Sequence, residues 1–133
     1  GIDTGTVTVT VNEVTTPPPP VTTVHVGDLD GSSTNNGKTW EAAVTIAVHQ
    51  SGGHEAVGGA TVSGIWNPGG SGSCETGGNG RCQVVRGGNA KKQGSVTFTV
   101  MSVSSGAGEY ASGENHDPDG DSVDGTSITV AKP

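Results

Sequence analysis

The sequence predicts an all-β fold, an antiparallel sandwich, and three observations predict it. Val and Thr, which favour strands, are abundant, while only 14% of the 133 residues are charged. Residues 38–49 alternate strictly, with Trp40, Ala42, Val44, Ile46 and Val48 on one face and Glu41, Ala43, Thr45, Ala47 and His49 on the other. Short segments of this kind recur between Gly, Asn and Ser turns with no helical period among them.

Taken in order, the first element is Thr6, Val7, Thr8, Val9, Thr10 and Val11, a half-buried strand by its alternation. Pro17, Pro18, Pro19 and Pro20 follow and cannot donate ladder hydrogen bonds, so they predict a stiff linker of roughly 12 Å. A compact module then begins. Strands are expected at residues 21–26, 38–49, 57–66, 81–85, 95–103, 109–111 and 126–130, with Asn67, Pro68, Gly69 and Gly70 breaking the third. The predicted organisation is an isolated strand (1–13), a Pro-rich linker (14–20) and an immunoglobulin-like β-sandwich of about seven strands (21–133).

The isolated strand cannot satisfy its backbone alone. It ends a preceding domain, folds back on its own module, or adds to the sheet of a neighbouring copy as a donor strand, in which case head-to-tail exchange builds a filament.

The core is thinly supplied: 29% of residues are apolar, 3% are aromatic, and 24 are glycine. Cys74 and Cys82, eight positions apart, are expected to close as a disulfide, with two free thiols as the alternative. Such a short loop is worth about 2.5 kcal/mol in the chain-entropy model. The pairing favours an oxidising, extracellular location. A net charge of −7 repels rather than attracts nucleic acid. No run of eighteen apolar residues suggests a membrane span, and no basic, apolar leader opens the sequence, which reads as mature or excised.

The chemistry-bearing constellation is acidic. Asp117, Asp119, Asp121 and Asp124, with Gly120 and Gly125 between and after them, place oxygens at nearly every second position, which suits the six to eight oxygen ligands of Ca²⁺. The spacing resembles the Asp-rich calcium loops of thrombospondin-type and dockerin repeats. Asp28 and Asp30, before Gly31 at the end of the first strand, are the expected second half of the site if the first and last strands are neighbours. No Lys or Arg lies between Glu114 and Asp124 to offset this charge. A solvated acidic turn is the plainer alternative. His25 and His116 flank the two loops and admit a softer metal such as zinc, or are simply satisfied or exposed histidines.

Gly53-His54-Glu55-Ala56-Val57-Gly58-Gly59-Ala60-Thr61-Val62, followed by Cys74-Glu75-Thr76 and Asn79-Gly80-Arg81-Cys82, resembles bacterial immunoglobulin-like and transthyretin-like extracellular modules. With residues 25–31 and 115–121, the whole of 21–133 is similar to accessory modules of secreted hydrolases, including subtilisin-like proteases. That resemblance implies a sandwich without catalysis of its own. Catalysis is not expected from the residues either, since no Gly-x-Ser-x-Gly, His-Glu-x-x-His or P-loop pattern occurs.

The expected function is thus a non-catalytic, extracellular, Ca²⁺-binding structural or assembly module, whose partners are neighbouring copies or adjacent domains. The alternative is a carbohydrate-binding or accessory module that stacks polysaccharide on Trp66 and Tyr110.

Overall fold

In the computed structural model the chain is described for residues 22–118, 120 and 124–133. The N-terminal alternating segment 6–11, the prolines at 17–20, and Asp119 and Asp121 lie outside the described residues. Eight strands are seen: β1 (Thr23–Asn35), β2 (Thr39–Gln50), β3 (Thr61–Asn67), β4 (Ser71–Glu75), β5 (Arg81–Ala90), β6 (Ser95–Ser104), β7 (Glu109–Tyr110) and β8 (Ser127–Ala131). They form two four-stranded sheets, β5-β2-β1-β7 and β4-β3-β6-β8, packed as a β-sandwich. All pairs are antiparallel except β1 with β7, which is parallel. The expected sandwich is present, with one strand, β4, that its glycine- and serine-rich sequence hid. No described helix is long and apolar enough to cross a membrane.

The core lies between the sheets. The face of β2 predicted from alternation, Trp40 to Val48, is fully buried and meets Val62, Phe98 and Val100 from the second sheet. Burying these chains supplies most of the stability, at about 25 cal/mol per Å² of apolar surface. Trp40 also spends its one polar group well: Nε1–H donates to the carbonyls of Ala90 and Gln93. The Cys74–Cys82 disulfide forms as expected, with Cα atoms 5.8 Å apart. It does more than close a hairpin, because Cys74 sits on β4 and Cys82 on β5, edge strands of different sheets. The bridge ties the two layers at one edge.

β1 departs most from the sequence reading. It runs to Asn35, so Asp28 and Asp30 lie within a strand and not in a loop after one. The physical reason is a bulge: the register with β2 shifts between Val26 and Asp28. Val24 and Val26 face the core before it and Leu29 faces the core after it, all fully buried. The extra residue, Gly27, restores the inward phase that strict alternation would have lost.

Between β7 and β8 a long connection folds back along the other edge of β1. Its described residues include a short 3-10 turn, Ser112–Glu114. The N–H groups of Ala111 and His116 donate to the carbonyls of Val24 and Val26. The Val26 N–H donates to Asn115 Oδ1 at 2.8 Å, and Asn115 Nδ2 donates to Tyr110 Oη and Thr126 Oγ1. The side chain of Asn115 thus stands in for a strand partner and fixes where this connection lies.

Candidate metal centre

On the outer face of the first sheet, that anchoring brings four imidazoles together. His25 and His49 are direct cross-strand partners on β1 and β2. His54 comes from the turn after β2, where it adopts φ +57, a left-handed conformation that histidine tolerates better than most residues. His116 follows the 3-10 turn and is held through its own N–H on Val26. One ring nitrogen from each lies within 4.8 Å of all the others. Ring centroids are 5.0 Å apart for His25 and His116, 5.2 Å for His25 and His54, and 5.4 Å for His54 and His116.

Two glycines make the approach possible. At Gly27 an added Cβ would collide with the imidazole of His49, so the bulge residue must lack a side chain for that ring to lie across it. Gly125, at φ +69, packs against the backbone of His116, where a side chain would clash.

Burial pushes the pKa of His25 and of His49 below the ordinary imidazole value. Neighbouring imidazoles add to this: His116 and His54 for His25, and His54 and His116 for His49. Both effects favour the neutral ring, the form a metal requires. His25 is 1% exposed, yet its Nε2 makes no hydrogen bond among the described residues, and neither does the buried Nδ1 of His49. A buried polar atom without a partner is costly unless something else satisfies it.

Four neutral nitrogens suit zinc, copper or nickel, whereas hard Ca²⁺ requires oxygen. A tetrahedral zinc with Zn–N bonds of about 2.0–2.1 Å spaces its ligands about 3.3 Å apart. The present spread closes to that by ring shifts of about 1 Å. Among the described residues this is the one group of three or more His, Cys, Asp or Glu side chains that converges so closely.

Of the acidic residues singled out in the sequence, Asp28, Asp30, Asp117 and Asp124 are among the described residues and belong to no such converging group there, while Asp119 and Asp121 lie outside them. Asp28 and Asp30 share Arg81, whose Nη1 lies 3.7 and 4.0 Å from their carboxylates, so a guanidinium sits where a cation was expected. This contact follows from register, since Asp28, Ala47 and Arg81 are neighbours across β1, β2 and β5. Asp124 Oδ1 accepts from the N–H groups of Thr126 and Ser127 and so caps the turn into β8. The carbonyl of Asp117 accepts from Gly120. Trp66 is 6% exposed and packs on Phe98 with centroids 5.0 Å apart, which leaves no open ring face for a sugar. Tyr110 is partly buried beneath the connection that Asn115 holds.

Sequence reasoning named His25 and His116 as flanking groups but left out His49 and His54. One signal was available: the chain has four histidines, and all four are in this cluster. No family model matches the chain, and neither do any curated proteins or solved structures. The class defined by fold and site is a β-sandwich bearing a polyhistidine cluster.

Proposed function

We propose that this chain is a non-catalytic extracellular structural module whose sandwich is stapled by one divalent transition-metal ion held by His25, His49, His54 and His116. The observation that carries the reading is the convergence of four imidazole nitrogens within 4.8 Å. The ligands come from β1, the end of β2, the turn beyond it and the β7–β8 connection, so one ion joins segments far apart in sequence. In a chain with few apolar residues, such a link supplements a modest core. The disulfide supports an oxidising, extracellular setting.

The test is thermal unfolding of the intact chain after chelation, then with zinc, copper, nickel or calcium added. An ion present at a hundred times its dissociation constant stabilises by about 2.7 kcal/mol. For a domain of this size that is a rise on the order of 10 °C. A rise with zinc or copper that is lost in His49→Ala and His116→Ala supports the centre. A response to calcium alone moves the site to the acidic residues, and no response to any ion removes the proposal.

A second reading concerns assembly. Among the described residues β7 pairs with Thr23 and Val24 of β1 and no described strand pairs with the far end of β1 on that side, where residues 31–33 line a groove with residues 128–131. Such an edge can receive an extended strand, for which residues 6–11 of a neighbouring copy have the right alternation. Deleting residues 1–16 then yields only monomers in light scattering; assembly that survives the deletion refutes this.

A further inference from the structure

Hydrogen-bond accounting around Ser51 fixes the tautomer of His25. The Thr23 hydroxyl donates to Ser51 Oγ at 2.7 Å, and the single Ser51 hydroxyl proton is donated to Glu114 Oε1. Ser51 Oγ also lies 3.3 Å from His25 Nδ1. Because its only proton is already committed, Ser51 must accept there, and His25 Nδ1 must carry hydrogen. The Glu114 carboxylate lies 3.8 Å from the same nitrogen and favours that proton. The lone pair of His25 is then on Nε2, the buried atom that has no partner among the described residues. Independently, His116 Nδ1 lies 3.2 Å from the main-chain carbonyl of Glu114, which can only accept. His116 is therefore also an Nδ1–H imidazole with its lone pair on Nε2.

We infer that Glu114 is the positioning residue of the metal centre, holding His25 through Ser51 and His116 through its own carbonyl so that both present Nε2 to the ion. This rests on the reading of the four histidines as a transition-metal site. One residue thereby sets two ligand orientations, and its carboxylate places negative charge behind a ligand set that is itself uncharged. Outer partners of this kind raise ligand basicity and restrict ring rotation, and their loss typically costs 10–100-fold in metal affinity.

The Glu114→Gln variant is the informative change, because the amide can donate to Ser51 Oγ. The Ser51 proton is then free to turn toward His25 Nδ1, which moves the imidazole proton to Nε2 and blocks the ligand atom. Zinc affinity is read by competition against a chromophoric chelator on the intact chain, for wild type, Glu114→Gln, Ser51→Ala and the surface control Glu41→Gln. The expected result is a 10–100-fold loss for Glu114→Gln, a smaller loss for Ser51→Ala and no change for Glu41→Gln. Nitrogen-15 NMR of the metal-free chain supplies the second measurement: His25 changes from the Nδ1–H form in Glu114→Gln, while His116, bonded to the backbone, does not. Affinity within twofold of wild type, or a His25 in the Nε2–H form in the wild-type chain, overturns the inference. A wild-type chain that binds no transition ion overturns the proposed function instead, and the tautomer measurement still decides the role of Glu114.

Discussion

The sharpest structural test of the centre is one methyl group. In Gly27→Ala the new Cβ would lie 2.5 Å from Cε1 and 2.8 Å from Cγ of His49, where ordinary contact begins at 3.4 Å. The imidazole must retreat by about 1 Å to restore normal carbon separations of 3.5–4.0 Å. Closing on an ion already asks the rings to shift by about 1 Å, and the methyl group adds about 1 Å to what His49 must cover while bound distances tolerate only about 0.2 Å, so this ring ligates poorly or at the cost of the remaining three. Zinc affinity should fall at least tenfold, about 1.4 kcal/mol. Stability without metal should fall by no more than about 1–3 kcal/mol, the usual cost of overpacking, because His49 is only half-buried and can swing outward. Isothermal titration with zinc and urea denaturation in chelator measure the two quantities separately. A Gly27→Ala chain that folds normally and binds zinc with unchanged affinity would show that His49 is not a ligand.

Other consequences follow from the same structure. In the chelated protein, His25 and His49 have folded pKa values below the unfolded value of 6.5, so the unfolded chain takes up more protons; stability is complete above about pH 6.5 and falls as pH drops below it. A urea midpoint that stays flat between pH 8 and 5 would contradict this. Replacing both Cys74 and Cys82 by Ser should cost about 2.5 kcal/mol, measured by urea denaturation, and a negligible loss would mean that the sheet edges hold without the bridge. Phe98→Ala, at a fully buried ring packed at a tilt against Trp66, should cost about 3–5 kcal/mol and bring the melting temperature down sharply in calorimetry.

The layered fold was legible because burial writes a period of two into a strand. Trp40 through Val48 are apolar at every second position, and the same positions are the buried ones. β4 was hidden for the complementary reason: Ser71 to Glu75 is an edge strand whose side chains are mostly small and none fully buried, so burial left no pattern in it. The bulge at Gly27 was also invisible. A single glycine in a run such as Val26-Gly27-Asp28-Leu29-Asp30 reads as the start of a turn, and only the need to bury both Val26 and Leu29 shows that the strand continues.

That misreading bears on Asp28 and Asp30, whose place in the fold depends on where β1 ends. With β1 ended early, Asp28 and Asp30 became loop carboxylates; with the bulge in place they lie beside Arg81 on a sheet face. The same bulge is where His49 gains its space. His25 opposite His49 follows from the β1–β2 register, but His116 arrives only because the β7–β8 connection folds back along β1 on hydrogen bonds to Val24 and Val26. Contacts of that range are set by tertiary packing, and no local pattern carries them. Four imidazoles from three parts of the chain, each fixed by a separate backbone device, face one another with two buried nitrogens left without partners among the described residues. Neutral rings so placed gain little from each other, and protonated rings would repel. A cation held among them, as proposed above, would give those nitrogens a partner and cross-link segments far apart in sequence.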